Sequence, residues 1–247
     1  MEIPKDIGRR QDSLTTAEEN RAMFDKIAGY YDGTNRILSL GFDESWRREG
    51  VASLEPKSGG SYLDVGCGTG DIALEILRQS PSSRVIGIDP SEGMLVLGRE
   101  KVQAAGLTGA ISLEKGDVLN LRFEDDSFDG AITSFCIRNV TDRRRALAEI
   151  FRVVRPGGLF VIVELTEPEG AIMRPLFRLY ARVVMPLVTR VLSSASAYRY
   201  LADSMADFPR ADTFTALMNQ ASFVDIAHRR LTGGIVTLFQ ARVPGKM

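Results

Sequence analysis

Apolar and polar residues follow two periods along the middle of the chain, and these periods predict alternating strands and helices. Short apolar runs bounded by turn residues predict strands at 61–65, 84–88, 111–115, 128–134 and 158–164. Apolar residues spaced three or four apart predict helices between them, at 71–79, 91–105 and 142–154. Strands that alternate with helices in this way are typical of an α/β protein with a doubly wound, mainly parallel sheet.

The segment before the first strand is predicted to be mostly helical. Helical spacing of apolar residues predicts one helix over 17–29, and a second helix begins near residue 44. Residues 31–43 are mixed in character and are predicted to form a loop between them. We therefore predict that residues 1–50 form an N-terminal helical cap within a single domain.

The chain becomes helical again after the fifth predicted strand. An amphipathic stretch at 171–193 predicts a helix that is bent or broken at Pro186, and a further helical region follows at 198–221. Together these segments predict a helical lid at about 170–221, inserted before the last strands.

Two strands are predicted at the end of the chain, at 223–230 and 234–242. The Thr-Gly-Gly signal between them is typical of a hairpin, so this pair can run antiparallel to the other strands. Pro156-Gly157-Gly158 predicts a turn just before the fifth strand. Residues 51–247 are therefore predicted to hold a seven-stranded, ligand-binding α/β sheet.

Composition excludes several functional classes. The 247 residues are 44% hydrophobic and carry a formal net charge of −1, so no general attraction to nucleic acid is expected. The two cysteines, Cys67 and Cys136, are far apart in sequence, and the single histidine is His228, so we predict neither a bound metal nor a disulfide. A polar N-terminus and the lack of an apolar run near ~20 residues predict a cytoplasmic protein without signal peptide or membrane span.

The most informative motif is the glycine-rich segment DVGCGTGD at 64–71, between the first predicted strand and helix. A dinucleotide-binding loop has glycine where this chain has Asp71, and its pyrophosphate would be repelled by that carboxylate. S-Adenosylmethionine (SAM) has no phosphate and carries a cationic amino-acid end, so the segment favours SAM. Three glycines after a strand also occur in plain turns, and the loop alone leaves the ligand open.

Polar residues at the ends of other strands extend this candidate site, because ligands of open α/β sheets bind at the carboxyl ends of strands. Asp89 ends the second strand, where it can bind both ribose hydroxyls or cap the following helix. Asp117 can accept from an adenine amino group while Val118 packs on the ring, or it can be a turn residue. Ser134 is expected near the sulfur end of the cofactor, and Thr69 is either a ligand of the methionine carboxylate or a turn threonine.

Four further segments are distinctive, and they occur in the order YDGTN at 31–35, IRNVTD at 137–142, RVVRPGG at 152–158 followed by Glu164, and AYRYL at 197–201 with LTGGIV at 231–236. With the glycine loop, they resemble the ubiquinone/menaquinone C-methyltransferases (the UbiE/MenG type) among the class I SAM-dependent methyltransferases. This resemblance implies a Rossmann-like class I methyltransferase fold with SAM as cosubstrate.

The resemblance also implies a reaction, in which a ring carbon of a reduced, prenylated quinone precursor is methylated, most concretely demethylmenaquinol to menaquinol. Arg138 would stabilise the ring oxyanion, unless it forms an ion pair with Asp142 instead. Tyr31 and Asn35 would close over the cofactor and the ring. The implied SAM-binding residues are Asp64, Gly66, Gly68, Thr69, Gly70, Asp89, Asp117, Val118 and Ser134.

The general base is less clearly indicated. The family usually has His where this chain has Asp43, so Asp43 and His228 are weak candidates for the base. Tyr198 either caps the substrate cavity or packs in the core. The alternatives left open are a methyltransferase of another small apolar acceptor, an NAD-dependent oxidoreductase, and a SAM-binding assembly subunit without catalysis.

The amphipathic stretch at 171–193 leaves open whether the protein contacts a membrane. It could be a lid that touches the inner face of an anionic membrane, or a helix packed on the sheet with its arginines in water. A homodimer is also compatible with the sequence.

Overall fold

The computed structural model describes residues 16–192 and 195–245, with their side chains except at 182 and 184–199. Its strands are β1 (Ser61–Val65), β2 (Arg84–Asp89), β3 (Ile111–Lys115), β4 (Phe128–Ser134), β5 (Val154–Leu165), β6 (Val224–Leu231) and β7 (Val236–Arg242). They form one seven-stranded sheet with the order β3-β2-β1-β4-β5-β7-β6. The first five strands are parallel, and β7 pairs antiparallel with β5 and β6. The predicted doubly wound sheet is therefore confirmed.

The helices in the described ranges are α1 (Ala17–Leu38), α2 (Phe42–Leu54), α3 (Asp71–Gln79), α4 (Glu92–Ala104), α5 (Arg143–Val153), α6 (Met173–Leu192), α7 (Ala195–Asp207) and α8 (Ala211–Gln220). A 3-10 turn, Ile137–Asn139, follows β4. As predicted, α1 and α2 precede the sheet, while α6, α7 and α8 are inserted between β5 and β6. Within the described residues, no helix combines the length and apolarity needed to cross a membrane.

Apolar side chains cover both faces of the sheet. One cluster packs α5 and α8 against the sheet and includes the fully buried Phe160, Phe214 and Phe239. The other packs α2, α3 and α4 and includes Trp46 and Ile76. Because both faces are covered, the ends of the strands are where polar side chains and ligands can be accommodated.

The predicted loop over 31–43 is wrong, because α1 continues to Leu38. Apolar residues on its inner face, including Tyr31, pack against α4, and this tertiary packing outweighs the low helix propensity of Gly33. The connection to α2 is confined to residues 39–41. The longer helix matters for the site, because it brings the second half of α1 alongside the glycine loop.

Prolines mark three further differences from the predicted elements. Pro156 lies inside β5, which begins at Val154, and the missing proline donor coincides with a register shift against β4. The predicted helix at 171–193 is not broken at Pro186, because α6 continues to Leu192 despite the loss of one backbone donor. Pro209 splits the predicted C-terminal helical region into α7 and α8, because the residue before a proline disfavours helix.

Candidate functional site

The glycine loop between β1 and α3 has a backbone that glycine adopts most easily. Gly66, Gly68 and Gly70 have φ values of 69°, 51° and 80°, in the left-handed region. A Cβ at Gly66 would lie 2.3 Å from Cys136 Sγ, so the close approach to the end of β4 leaves no room for a side chain. The loop backbone also donates to Ile88 O at the end of β2. These contacts hold the loop across the carboxyl ends of three strands.

Asp89 ends β2 and joins two backbone segments. Its Oδ2 accepts from Gly68 N and its Oδ1 from Ser91 N, both at 2.9 Å. The cap of α4 is Ser91, whose hydroxyl accepts from Met94 N, so Asp89 is not the capping residue. Burial raises the pKa of Asp89 to about 6, although the two backbone donors oppose this rise. The carboxylate is thus fixed in orientation at the edge of the sheet.

Asp64, on β1, is a buried carboxyl group with unused acceptors. Both of its carboxyl oxygens lack a hydrogen-bond partner among the residues that the structure describes. Burial, with the charge of Asp89 adding to it, raises the pKa of Asp64 to about 8. The N–H of Ala73 opposes the rise but lies outside hydrogen-bonding geometry. A buried acceptor without a donor is costly, and a cationic ligand group nearby would relieve that cost.

A crevice of about 170 Å³ opens beside these residues. The glycine loop and Asp89 form one side, Asp117 and Val118 after β3 form another, and α1 covers the top. Its described lining residues are Ala17, Asn20, Arg21, Phe24, Tyr31, Val65, Gly66, Gly68, Ile88, Asp89, Pro90, Met94, Gly116, Asp117, Val118, Leu119, Phe135, Cys136, Asn139, Val140 and Thr141. Five of the predicted cofactor residues therefore line one crevice.

The other four predicted cofactor residues are not among these described lining residues. Asp64 lies on β1 next to the loop, and Gly70 caps α3. The Thr69 hydroxyl donates to Asp32 Oδ1 at 2.8 Å and accepts from Lys101 Nζ at 2.9 Å, so it is engaged within the protein. The Ser134 hydroxyl is buried and has no partner in the described part of the chain.

Helix α1 is tied down over the crevice by two carboxylates on its sequence, two turns apart. Asp25 accepts from Ser91 Oγ at 2.6 Å and from Gly93 N at 3.0 Å, at the start of α4. Asp32 pairs with Lys101 Nζ at 2.5 Å and accepts from Thr69. The crevice is therefore roofed by a helix that polar contacts, as well as apolar packing, hold in place.

A second cavity, of about 330 Å³, adjoins the crevice and is lined mainly by apolar side chains. It shares Phe24, Tyr31 and Phe135 with the crevice, so these three residues stand between the two spaces. Its walls come from α1, α2, α6, α7 and the ends of β4, β5 and β6. The described lining residues are Met23, Phe24, Ile27, Tyr30, Tyr31, Thr34, Asn35, Leu38, Ser39, Leu40, Phe42, Asp43, Trp46, Arg47, Phe135, Arg138, Leu165, Met173, Leu176, Phe177, Tyr180, Tyr200, Leu201, Met205, Thr232 and Ile235.

Arg138 is the buried cation of this second cavity and lies on the 3-10 turn, only 5% exposed. Its Nη1 donates to Glu164 Oε1 and to Phe135 O, both at 2.6 Å. The expected alternative, an ion pair with Asp142, is replaced by this pair, and Asp142 instead caps α5. Arg138 Nε is buried with no hydrogen-bond partner among the described residues. The guanidinium therefore retains donor capacity beside the cavity.

Tyr31 and Asn35 lie one helical turn apart on α1 and line the same cavity as Arg138. Burial raises the pKa of Tyr31, while the charge of Arg138 and a hydrogen bond with Asn35 oppose the rise. Tyr31 is thus a neutral phenol at pH 7, able to donate or accept a hydrogen bond. The structure brings together all three residues that the sequence proposed for the acceptor side.

Two residues that connect the helical lid to the 3-10 turn, Tyr200 and Asn139, were not predicted as site residues. Tyr200, on α7, lines the second cavity and its hydroxyl donates to Asn139 Oδ1 at 2.7 Å. Tyr198, the tyrosine that the sequence singled out, lies outside the residues whose side chains are described. Both tyrosines belong to the AYRYL segment, and the segment alone does not indicate which of them faces a cavity.

Neither proposed base is well placed for proton abstraction. Asp43 lines the second cavity, but it accepts from Ser39 Oγ at 2.7 Å and from Arg47 Nη2 at 2.5 Å. Burial by itself raises the pKa of Asp43, yet these partners outweigh it and lower the pKa. His228, on β6, is not among the described residues that line either cavity, and its Nε2 lies 3.9 Å from Asp212.

The chemistry of the two spaces differs in a way that suits group transfer. The crevice offers oriented carboxylates and backbone amides to a polar nucleoside-like ligand, and the second cavity offers apolar surface and one buried cation. Because both spaces share walls, two ligands would meet at Phe24, Tyr31 and Phe135. A reacting group held in one space can therefore be aligned with an acceptor in the other.

Comparison with known sequences covers nearly the whole chain. Residues 14–242 match the ubiE/COQ5 methyltransferase family. The chain is 44% identical over 223 residues to a ubiquinone/menaquinone biosynthesis C-methyltransferase UbiE of Geobacter sulfurreducens, spanning 90% of this chain and 87% of that protein. It is 40% identical over 226 residues to a demethylmenaquinone methyltransferase of Bacteroides fragilis, spanning 91% and 92%.

Comparison with solved structures supports the fold. A SAM-dependent methyltransferase from Aquifex aeolicus superposes with a TM-score of 0.64, covering 89% of this chain and 98% of that one. Its sequence identity is 16%, so the match concerns the architecture alone.

Proposed function

Since the chain belongs to the ubiE/COQ5 methyltransferase family, we propose that it methylates a ring carbon of a reduced, prenylated quinone precursor, with demethylmenaquinol as the concrete substrate. It is a SAM-dependent methyltransferase, as the family and the relatives indicate. Demethylmenaquinone is the acceptor named for the relative from Bacteroides fragilis. The observation that carries the proposal is the pair of adjoining spaces with Arg138 in the apolar one.

The residues around the crevice offer a partner to each polar part of SAM. We assign the methionine part of SAM to the glycine loop, because Gly66 and Gly68 line the crevice and carry no side chain that would keep a ligand from the backbone. Asp64 lies behind this loop, outside the described lining of the crevice, and its carboxyl group with two free oxygens would attract the ammonium of the methionine part. Asp89 would accept from the ribose hydroxyls. Asp117 would accept from the adenine amino group while Val118 packs against the ring. Thr69, Gly70 and Ser134 would support these groups from behind rather than contact the ligand.

SAM supplies a methyl group that its sulfonium already activates, so the protein must position and activate the acceptor. A phenol has a pKa of about 10, and its deprotonation at pH 7 costs about 4 kcal/mol. The Arg138 guanidinium offsets part of this cost by stabilising the oxyanion that makes the ring carbon nucleophilic, and the phenol proton passes to water. As the ring carbon bonds to the methyl group, the methyl–sulfur bond breaks and S-adenosylhomocysteine leaves. The ring carbon then loses its proton and the ring oxygen regains one, so that one proton in total is released to solvent. Tyr31 and Asn35 orient the ring through their hydrogen-bonding groups. Phe24, Tyr31 and Phe135 lie between the two spaces, where the sulfonium and the ring would meet.

The isoprenoid tail requires an apolar route away from the ring. The second cavity provides it, because Leu40, Phe42 and Leu176 lie both in its wall and at the protein surface. Tyr180 ties the two sides of this exit together by donating to Leu38 O at 2.7 Å. Each apolar side chain newly buried by the tail contributes roughly 1.5–3 kcal/mol.

We further propose that this exit rests on a lipid bilayer. Ile172, Leu176, Leu179 and Val183 are exposed and recur every three or four residues, so they share one face of the α6 region. Leu40 is 72% exposed at the opposite side of the exit. An apolar rim that is continuous with a cavity for a lipid tail is best covered by the membrane that holds the tail.

The reaction is tested by incubating the protein with methyl-labelled SAM and a panel of reduced demethylated quinones that differ in ring and tail, followed by mass spectrometry. One label on the ring of demethylmenaquinol is expected, and none on menaquinol, whose ring position is already methylated. Label on an unrelated apolar acceptor alone would indicate a different methyltransferase. SAM binding with no transfer to any acceptor would indicate an assembly subunit.

Membrane contact is tested by sedimentation with vesicles of phosphatidylcholine and phosphatidylglycerol. Leu40→Ser combined with Leu179→Ser should reduce the bound fraction, because both side chains lie on the exposed rim. Val96→Ser is the matched control, since Val96 is an exposed apolar residue on α4. Equal binding by the rim variant and the wild type would reject the bilayer as the partner of this surface.

A further inference from the structure

Glu164 is a fully buried carboxylate near the end of β5, in a strand whose neighbouring positions are apolar. Its Oε1 accepts from Arg138 Nη1 at 2.6 Å and from Leu165 N at 2.8 Å. Its Oε2 accepts from Arg138 N at 3.1 Å. Glu164 therefore binds the same arginine twice, once at the guanidinium and once at the backbone.

This double contact restricts the conformations that the Arg138 side chain can adopt. Arg138 lies on a 3-10 turn of three residues, and its side chain has several rotatable bonds. A carboxylate that holds both ends of the arginine fixes the direction of the guanidinium relative to the turn. Stability alone does not require such a group, because a buried ion pair is often no more stabilising than apolar residues of similar size.

We propose that Glu164 is a positioning residue that aims the Arg138 guanidinium at the oxygen of the acceptor ring. Glu164 is not among the described residues that line either cavity, so it acts through Arg138 and does not touch the ligands. The inference rests on the proposed function, because it assigns a role to Arg138, the buried cation of the second cavity.

The informative substitution is Glu164→Gln, which keeps the shape but not the acceptor pattern. Three N–H groups converge on the two carboxylate oxygens, and an amide NH2 cannot accept a hydrogen bond. Either the guanidinium or the backbone of Arg138 must therefore lose its partner. A displacement of about 1 Å at a reacting group can cost about 100-fold in rate. We expect kcat for demethylmenaquinol to fall about 10–100-fold, with the SAM Kd changed less than about twofold.

A matched control separates positioning from a general effect on the strand. Thr237 is buried directly across the sheet from Glu164 on β7, and its hydroxyl pairs with Thr166. Thr237→Val removes a buried polar contact at the same level of the sheet without touching Arg138. Its kcat per SAM-binding site should stay within about twofold of the wild type.

The decisive readout is a double-mutant cycle with Arg138→Ala, with rates expressed per SAM-binding site so that only folded protein is compared. If Glu164 acts through Arg138, the double variant is no slower than Arg138→Ala alone. Independent, multiplicative losses would mean that Glu164 acts on the fold and would overturn the inference. If Glu164→Gln does not fold, Glu164→Asp takes its place, since it keeps the charge but withdraws the carboxylate by one methylene.

The wild-type enzyme distinguishes failure of the inference from failure of the proposed function. An active wild type with an equally active Glu164→Gln variant overturns the positioning role alone. A wild type that binds SAM but methylates no quinol rejects the proposed function, and the inference with it.

Discussion

The crevice, which we propose as the cofactor site, and the second cavity, which we propose as the acceptor cavity, share three wall residues but are built in opposite ways. The crevice is formed largely by short segments at the ends of adjacent parallel strands, with Asp89 and Asp117 as polar anchors. The acceptor cavity is formed by two helix pairs, α1 with α2 and α6 with α7, that are separated from each other by much of the chain, and its wall is mainly apolar. On the proposed function, the ends of the sheet strands would select the cofactor and the helices would select the acceptor.

The two regions also differ in how they handle charge. Beside the crevice, burial raises the pKa of Asp64 to about 8 and of Asp89 to about 6. The ionised forms of these two carboxyl groups are therefore disfavoured when no ligand is bound. In the acceptor cavity, the charges are paired within the protein, as Arg138 is with Glu164 and Asp43 with Arg47. On the proposed function, a cationic ligand group would stabilise the buried carboxylates of the first region, and the acceptor would meet an already oriented cation in the second.

The largest effect should come from Asp89→Ala, which removes the anchor of the crevice. Losing two charge-assisted bonds to the ribose, each about 1.5–3 kcal/mol, should weaken SAM binding about 10²–10⁴-fold in calorimetry. Asp129→Asn is the control, because Asp129 also accepts a backbone N–H but belongs to the start of β4, away from the crevice. An unchanged SAM affinity in Asp89→Ala would show that SAM does not bind in the crevice.

Arg138→Ala tests the other region and should leave the crevice intact. Removing a donor to a developing oxyanion costs about 2.7–4 kcal/mol, so kcat should fall about 10²–10³-fold while the SAM Kd is preserved. Single-turnover methyl transfer measures the rate directly. A normal kcat would mean that the buried cation has no part in activating the acceptor.

The charge difference between the regions predicts a pH effect on stability. The pKa of Asp64 is about 8 in the folded protein, against 3.8 for an aspartate in water, so between these values the folded state binds one more proton than the unfolded chain. The free energy of unfolding should then decrease by up to about 1.4 kcal/mol per pH unit, and by about 2.3 kcal/mol in total from pH 6 to 8, owing to this group. The group's stabilising contribution is complete at low pH and is lost as the pH rises through 8.

Urea unfolding of the ligand-free protein at pH 6 and 8 measures this slope, and Asp64→Asn should flatten it. Asp129→Asn should leave the slope unchanged, since hydrogen bonds and ion pairing outweigh burial and lower the pKa of Asp129. Equal slopes for Asp64→Asn and the wild type would show that Asp64 is ionised throughout and that the crevice carries no such cost.

The smallest predicted effect concerns the tail. Leu176 lines the acceptor cavity near its exit, so Leu176→Ala should raise the KM for a long-tailed quinol about three- to tenfold, through lost apolar contact. The KM for an analogue without a tail should not change. A variant that affects both substrates equally would show that Leu176 shapes the cavity without binding the tail.

Residues of the crevice were predictable because they are local. Gly66, Gly68 and Asp89 follow strands that periodicity reveals, and parallel strands bring their carboxyl ends together at one edge. Asp117 and Val118 follow the same rule after β3. What the pattern does not reveal is that Thr69 is engaged by Asp32 from α1, because that contact joins distant segments.

The acceptor region was predicted less completely for the same physical reason. Arg138 was identified through a family resemblance, but its partner Glu164 is 26 residues away in sequence and no spacing rule links them. Tyr200 reaches Asn139 only because α7 packs beside the 3-10 turn. Helix α1 extends past Gly33 because it packs against α4. Local helix propensity carries no information about this packing.

The most direct test of the account is a crystal structure with S-adenosylhomocysteine and a short-tailed demethylated naphthoquinol. The ribose should bind Asp89, the ring oxygen should bind Arg138, and the two ligands should meet between Phe24, Tyr31 and Phe135. A nucleoside bound elsewhere, or a ring outside the apolar cavity with this cavity empty, would contradict it.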